Sequence, residues 1–289
     1  MKIGIYINKN KKNLKSILDI ILEEFPSPKH ELIYLNEHVF LSDLLAISLS
    51  SKVKEIDYDI LITIGGDGTI LSAIRSEYEK EKPILGIHAG KLGFLAESDI
   101  KNCRSVLRSI KKTEFKIETR SLFEIQLSSD MDNKYICANE IVIDRGKSAR
   151  TMKANVYENS LLVNRYEGDG LIISTANGST AYSLSAGGPI IHPSLDLITV
   201  TPICSHSLST RTIVLNGKSD VIIDFPDKKS SRTLTIDGQI DFEVKDEMEV
   251  SVKVSKKKAY FLLTEESNYF NKLRNKMGWF SSIDDKNNY

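Results

Sequence analysis

A carboxylate among three glycines stands out in the stretch Gly65-Gly66-Asp67-Gly68-Thr69. Glycine lacks a Cβ, so another molecule can approach this backbone closely. A helix that begins here leaves several N–H groups free, which suits a phosphate. Because Asp67 repels phosphate, it must cap the helix, hold a cation or take a proton from a hydroxyl. The pentapeptide alone favours a helix cap and a catalytic carboxylate equally, and it matches neither the P-loop nor the G-x-G-x-x-G pattern.

Small and hydroxylated residues dominate a second stretch, from Gly168 to Pro193. The apolar segment LIIST leads into a loop rich in Ser, Thr and Gly, and a short helix is expected from Thr180 until Gly187-Gly188 ends it. The free N–H groups and hydroxyls of such a loop can bind polar ligand groups, and Tyr182 offers a flat face for a purine. The alternative is an ordinary loop with Tyr182 in the core.

Two shorter motifs also carry polar side chains at unusual places. Asn139-Glu140 interrupts an apolar segment that is expected to be strand, where an amide and a carboxylate are unusual unless they face a ligand. Asp237-Gly238-Gln239, taken alone, is typical of a hairpin turn.

The elements that must position these residues fall into two classes. Apolar runs and helical stripes alternate through residues 1–98, which predicts a parallel sheet with helices. From residue 99 to 264, after one helix, short apolar–polar alternating segments predict an all-β layer structure. The tail, 265–289, returns to helical spacing and is expected to join the first domain. Helices are also expected near 41–51 and 69–78, and the Lys256-Lys257-Lys258 run is interpreted as a solvated turn.

The composition is that of an ordinary globular protein. Among 289 residues, 39 Lys and Arg balance 39 Asp and Glu, so no net field favours nucleic acid or a membrane surface. Three widely separated cysteines form no disulfide framework or zinc pattern, and no apolar run is long enough for a membrane span. We therefore expect a cytoplasmic protein that binds neither nucleic acid nor membrane.

Taken together and in order, these motifs resemble the NAD kinase family. The resemblance rests on GGDGT at 65–69, NE at 139–140, GDG at 168–170, GSTAYSLSAGGP at 178–189, TPICSHSLSTR at 201–211 and DGQ at 237–239. It implies a Rossmann-like N-terminal α/β domain with a C-terminal β-sandwich domain, in a homodimer or homotetramer. It also implies that ATP phosphorylates the 2′-hydroxyl of the adenosine ribose of NAD to give NADP, with a divalent cation, most plausibly Mg²⁺.

The resemblance also implies residue roles. Asp67 would be the catalytic general base, Asn139 and Glu140 would hold the adenosine ribose hydroxyls, and Asp169 would meet the nicotinamide end. Tyr182 would stack on the adenine. The full implied NAD-binding set is Asp67, Gly68, Asn139, Glu140, Arg150, Asp169, Thr180, Ala181, Tyr182, Ser183, Leu184, Ser185 and Gln239. Ala176-Asn177 departs from the Pro-Thr that is usual in the family at this point of the loop.

Two rival functions share part of this pattern. Diacylglycerol and sphingosine kinases have a similar glycine turn, although residues 139–239 and the lack of an amphipathic membrane-seeking helix do not favour a lipid kinase. A non-catalytic NAD(P) sensor would keep the pocket without the reaction. The presence of Asp67 argues against this alternative. The sequence leaves the phosphoryl donor open between ATP, another nucleoside triphosphate and polyphosphate.

Overall fold

The computed structural model describes residues 1–45, 57–90, 93–227 and 232–279. The second half of the helix expected near 41–51, and the last ten residues of the expected tail helix, lie outside these ranges. In chain order the elements are β1 (Lys2–Ile7), α1 (Leu14–Glu24), β2 (Glu31–Tyr34), α2 (His38–Leu45), β3 (Ile60–Gly65), α3 (Asp67–Glu77), β4 (Pro83–His88), β5 (Ser98–Asp99), α4 (Cys103–Lys111), β6 (Lys116–Leu127), β7 (Asp130–Cys137), β8 (Glu140–Asp144), β9 (Met152–Glu158), β10 (Leu161–Gly168), β11 (Gly170–Ser174), α5 (Tyr182–Ser185), β12 (Leu197–Ile203), β13 (Ile213–Asn216), β14 (Val221–Asp224), β15 (Arg232–Ile236), β16 (Ile240–Val244), β17 (Val250–Leu263) and α6 (Tyr269–Met277).

The chain forms two compact units. Unit one comprises residues 1–73, 82–118 and 260–289, and unit two comprises 74–81 and 119–259. Helix α3 and strand β17 each contribute residues to both units. The boundaries inferred above from sequence, 1–98 with 265–289 and 99–264, stay a prediction.

Unit one is built on a parallel sheet. The last residues of β17, then β4, β3, β1 and β2, pair in that order, and each of these pairs is parallel. All six residues of β3 are buried, as expected for a strand of a covered parallel sheet. Leu14, Ile17 and Ile21 recur at helical spacing along α1 and pack into the core of this unit. The parallel arrangement brings the carboxyl ends of β1, β3 and β4 to one edge, where ligands bind in open α/β folds.

A buried carboxylate ties α1 to α4. Glu24 accepts hydrogen bonds from Lys111 at 2.7 Å, Arg104 at 3.1 Å and Arg108 at 3.0 Å. The Lys111 ammonium, and then the two guanidinium groups, lower the pKa of Glu24 to about 2, against an opposing effect of burial. This cluster stabilises the packing of α1 against α4, and the stability of unit one should fall at a pH low enough to protonate Glu24.

Unit two consists of two antiparallel sheets. One pairs β10, β9, β14, β17, β6 and β7, and the other pairs β13, β12, β11, β8, β15 and β16. Alternate residues of facing strands, such as Ile141 and Ile143 in β8 and Val250 and Val252 in β17, fill one core between the sheets. The predicted Rossmann-like α/β domain with a β-sandwich domain is confirmed as the fold.

Three local expectations need correction. Residues 256–258 lie inside β17 and do not form a turn, because strand pairing on the long β17 overrides the preference of lysine for solvated loops. The sequence SSDMDNK, residues 128–134, predicts a turn, but only residues 128–129 form one and residues 130–134 belong to β7. Asn139 lies between β7 and β8 and not inside a strand. No helix in the described ranges has the length and apolarity that crossing a membrane requires.

Candidate active site

The glycine turn joins β3 to α3 in unit one. Strand β3 ends at Gly65 and α3 begins at Asp67. The carbonyl of Gly66 accepts hydrogen bonds from the N–H groups of Thr69 at 2.9 Å and Ile70 at 3.3 Å, so the first helical turn closes on this residue. Asp67 therefore stands at the positive end of the helix dipole, which stabilises its negative charge.

The carboxylate of Asp67 bonds to a different segment of unit one. Its Oδ2 accepts from the Phe94 N–H at 2.8 Å and its Oδ1 from the Leu95 N–H at 3.3 Å. A Cβ on Gly93 would lie 2.0 Å from Asp67 Oδ1, so only glycine fits at that position. These two bonds hold the carboxylate against residues 93–95, and the interpretation of Asp67 as a simple cap of its own helix is not supported.

Two basic side chains, which the sequence analysis missed, lie close to the glycine turn. A Cβ built on Gly66 would lie 3.4 Å from His88 Nε2 and 3.9 Å from Lys11 Nζ. The Gly90 N–H donates to His88 Nδ1 at 2.9 Å, so in the neutral ring the proton is on Nε2. Strand ends could have indicated them, because Lys11 follows β1 and His88 ends β4, at the same sheet edge as Gly65.

In unit two, the chain passes from one sheet to the other at Ala138-Asn139. Strand β7 pairs with β6 in one sheet, and β8 pairs with β11 and β15 in the other. The backbone here is held by Asp237, whose carboxylate accepts from the N–H groups of Ala138 at 3.1 Å and Asn139 at 2.7 Å and from Cys137 Sγ at 3.2 Å. The hairpin turn expected at residues 237–239 is present, and it also organises the Asn139-Glu140 motif.

A buried arginine completes this arrangement. Arg75 Nη1 lies 2.6 Å from Asp237 Oδ2, and the side chains are 10% and 0% exposed. Arg75 also donates to the side-chain oxygen of Gln239. Asp237 itself has a φ of 49°, which a non-glycine residue adopts rarely. Arg75 therefore compensates a fully buried charge in a strained turn, and the sequence analysis gave it no role.

Glu140 is a buried acid with an unused acceptor. The residue is 7% exposed, and its Oε2 has no hydrogen-bond partner in the described part of the chain. Burial, and next the Asp237 carboxylate, raise the pKa of Glu140 to about 8, while a hydrogen bond from the Tyr182 N–H acts in the opposite direction. An unsatisfied buried carboxyl oxygen is costly, and a ligand hydroxyl would satisfy it.

The loop from 177 to 185 packs beside this motif. Residues Asn177–Thr180 form a 3-10 helix and Tyr182–Ser185 form α5. A Cβ on Gly178 would lie 2.3 Å from the Asn139 carbonyl oxygen, so the loop and the Asn139 backbone are in close contact. Tyr182 is 45% exposed, and the alternative that placed it in the core is therefore wrong. Ser183 is buried and hydrogen bonds to Thr201 at 3.1 Å.

Arg150 and Asp169, two further residues of the predicted site, line a cavity of unit two. This cavity, of about 590 Å³, is also lined by Arg145, Lys153 and His206. Arg145 Nε lies 2.9 Å from Asp169 Oδ1. The structure thus brings Arg150 and Asp169 together at a basic cavity that neither Asn139 nor Glu140 lines.

The comparisons with known proteins decide the family. The model of the ATP-NAD kinase N-terminal domain matches residues 30–115, and that of the ATP-NAD kinase C-terminal domain matches residues 138–264. The chain belongs to the NAD kinase family. It is therefore an enzyme of the phosphotransferase class, and the predicted family is confirmed.

Several members of this family match nearly the whole chain. An NAD kinase of Clostridium beijerinckii is 38% identical over 278 residues, which cover 95% of each chain. One from Clostridium botulinum strain Kyoto is 36% identical over 284 residues, covering 96% of this chain and 97% of the relative. An NAD kinase of Sulfurimonas denitrificans is 33% identical over 279 residues, with 96% and 97% covered.

Two solved NAD kinase-family structures share the fold. Yeast NADH kinase complexed with NADH aligns with a TM-score of 0.85 and 24% identity, covering 98% of this chain and 89% of that one. An NAD kinase from Archaeoglobus fulgidus in complex with ATP aligns with a TM-score of 0.74 and 24% identity, covering 96% and 98%.

The predicted site residues are now divided between two sets. Asp67 and Gly68 belong to unit one. The remaining predicted residues belong to unit two, where Asn139, Glu140, Gln239 and residues 177–185 are linked by the contacts above. Among the described residues, no group of three or more His, Cys, Asp or Glu side chains is placed to hold a metal ion.

Proposed function

We propose that this member of the NAD kinase family transfers the γ-phosphoryl group of ATP to the 2′-hydroxyl of the adenosine ribose of NAD. A bond forms between the ribose oxygen and the phosphorus, the bond from that phosphorus to the β-phosphate bridging oxygen breaks, and ADP leaves. The hydroxyl proton passes to Asp67. Relatives named NAD kinase at 33–38% identity support the substrates.

The observation that carries the proposal is the unsatisfied Oε2 of Glu140 beside Asn139. The carboxyl group of Glu140 can accept a hydrogen bond whether or not it is protonated, and the amide of Asn139 can donate one, so the pair matches adjacent ribose hydroxyls, each of which can do both. The exposed face of Tyr182, on the loop whose N–H reaches Glu140, is available for stacking on adenine.

The residues around the glycine turn would serve the phosphates. The positive end of the α3 dipole attracts anions, and His88 Nε2 and Lys11 Nζ near Gly66 can donate hydrogen bonds to them. Asp67 is a half-buried carboxylate whose position is held by two backbone N–H groups. We propose it as the general base, which accepts the hydroxyl proton as transfer proceeds.

We further propose that a divalent cation, Mg²⁺, accompanies the triphosphate. Phosphate oxygens and water supply most of the ligands of such an ion, so the triphosphate itself would hold most of its coordination and Asp67 would stay available as the base. When bound, the ion neutralises charge on the phosphates. We also propose that the protein acts as a cytoplasmic homodimer or homotetramer. Light scattering tests the oligomeric state, and the free thiols of Cys103, Cys137 and Cys204 agree with a reducing compartment.

Phosphorus NMR of the products from NAD, ATP and Mg²⁺ tests the reaction. We expect ADP and a new phosphomonoester resonance on the 2′-oxygen of the adenosine ribose. Parallel incubations with diacylglycerol and a sphingoid base should give no transfer. A lipid product would support the lipid kinase, and NAD binding without any product would support the sensor.

The role of Asp67 is tested by Asp67→Asn. General-base catalysis contributes about 10²–10⁴ in rate, so we expect kcat to fall by that factor while the Kd for NAD stays nearly unchanged. A variant that keeps near-wild-type kcat would rule out the general base.

A further inference from the structure

A buried polar chain leads from a cation to the Asn139 amide. Arg120 Nη1 donates to Asn177 Oδ1 at 2.5 Å, and Asn177 Nδ2 donates to Asn139 Oδ1 at 2.5 Å. The exposed fractions are 6% for Arg120, 7% for Asn177 and 9% for Asn139. All three residues belong to unit two.

The chemistry of Arg120 fixes the direction of this chain. A guanidinium has donors and no acceptor, so the Asn177 atom that faces it must be the carbonyl oxygen. The NH₂ group of Asn177 must then face Asn139, which can meet it only with its own oxygen. Both hydrogens of Asn139 Nδ2 are left over, and they have no partner in the part of the chain that the structure describes.

We propose that Arg120 and Asn177 are positioning residues that hold the Asn139 amide with its NH₂ group toward the nucleotide. The site then offers a fixed hydrogen-bond donor at Asn139, beside Glu140, and it selects a ligand with an atom at that place that can accept a hydrogen bond. This inference rests on the proposed function, because it takes the ligand of Asn139 to be the adenosine part of NAD.

The substitution Asn177→Asp reverses the polarity at constant shape. A carboxylate at 177 still accepts from Arg120 but cannot donate to Asn139. The Asn139 amide then turns its NH₂ group toward the carboxylate and presents oxygen to the ligand. The hydrogen bond from Asn139 to the ligand is then lost, and the Asn139 oxygen faces an acceptor atom of the ligand. The Kd for NAD should therefore rise about tenfold or more. We expect a matching rise in KM and a change in kcat below about threefold, since the transfer chemistry is unchanged.

Asn216→Asp is the matched control. Asn216 is an exposed residue of unit two whose Oδ1 accepts from the Lys218 N–H at 2.8 Å, and a carboxylate keeps that bond. Its Kd for NAD should equal that of wild type. In a double-mutant test, Asn139→Ala with Asn177→Asp should bind NAD no more weakly than Asn139→Ala alone, because Asn177 acts only through Asn139.

Arg120 provides a second pair of variants if Asn177→Asp does not fold. Arg120→Lys keeps a donor toward Asn177 and should preserve the Kd for NAD, whereas Arg120→Met should weaken binding. A Kd for Asn177→Asp within about twofold of wild type, or a further loss in the double variant, would overturn the proposal.

A measurement without ligand separates this inference from the proposed function. In ¹H–¹⁵N spectra of the full chain, the side-chain NH₂ resonances of Asn139, assigned with Asn139→Ala, should shift in Asn177→Asp and stay in place in Asn216→Asp. Unshifted resonances would refute the positioning role even if NAD is phosphorylated. Failure of wild type to bind NAD would instead refute the proposed function.

Discussion

The buried ion pair between Arg75 and Asp237 yields a quantitative prediction for Arg75→Met. The substitution leaves the Asp237 carboxylate, 0% exposed, without its cation. Removing one partner of a buried pair costs about 3–5 kcal/mol. Since Asp237 keeps hydrogen bonds from Cys137, Ala138 and Asn139, we expect the lower end, about 3 kcal/mol.

An exposed ion pair in the same unit is the control for this prediction. Lys257 Nζ lies 2.5 Å from Glu81 Oε2, with side chains 43% and 32% exposed. The two ion pairs have nearly the same N···O distance, but solvent screens the exposed one. Lys257→Met should therefore lower the free energy of unfolding by only about 0–1 kcal/mol. Urea unfolding at constant pH measures both costs, and thermal melting should show a fall of about 6–12 °C for Arg75→Met.

Two results would refute the reasoning. Equal costs for Arg75→Met and Lys257→Met would show that burial does not decide the strength of these pairs. If Asp237→Asn added to Arg75→Met does not recover part of the lost stability, the cost does not come from the uncompensated charge of Asp237.

Further predictions concern the dependence of stability on pH and the binding of the two substrates. The pKa of Glu24 lies at about 2 instead of its ordinary 4.5, so stability should fall as the pH drops from about 4.5 toward 2, and Glu24→Gln should flatten that part of a melting-temperature profile. The pKa of Glu140 lies at about 8 instead of 4.5, so stability should fall as the pH rises between these values, and Glu140→Gln should remove that fall. Tyr182→Ala should weaken NAD binding by about 1–3 kcal/mol in calorimetry, and an unchanged Kd would contradict stacking. Lys11→Ala should raise the KM for ATP about tenfold or more while leaving that for NAD unchanged, and an equal rise in both would contradict a phosphate contact.

Local patterns were sufficient to predict the class of each part of the fold. The alternation of apolar runs and helical stripes predicted the parallel sheet, and the switch to period two predicted an all-β layer structure, because both patterns reflect which side chains are buried. The Rossmann-like and sandwich topologies were implied only by the resemblance to the family. The boundary of β17 could not be found in this way. Its lysines interrupt the apolar alternation, and only pairing with distant strands shows that the strand continues through them.

Part of the candidate site carries a signal that is visible in the sequence. Asn139 and Glu140 are polar residues in an apolar context, which is a visible signal. Arg75 and Arg120 carry no such signal, because a charged residue on a helix or strand is ordinary and its partner is remote. Asn177 stands out in the sequence only as part of a departure from the family's usual Pro-Thr, and its role was not predicted. Arg75 and Asp237 are 162 residues apart along the chain, and Arg120 and Asn177 are 57 apart. Only the folded chain reveals these partners.

The passage of the chain between sheets at Ala138-Asn139 has a consequence for folding. The N–H group of Asn139 donates at this point not to a strand partner but to the carboxylate of Asp237, which lies 98 residues further along the chain. Contacts of such separation slow folding, because the chain must first lose the entropy of closing a long loop. A ribosome-bound chain that has not yet exposed residue 237 would carry the amide and the acid without the group that arranges them. Under the proposed function, binding of nucleotide by this unit would therefore require that strand β15 and the turn at residue 237 have already folded against Asn139.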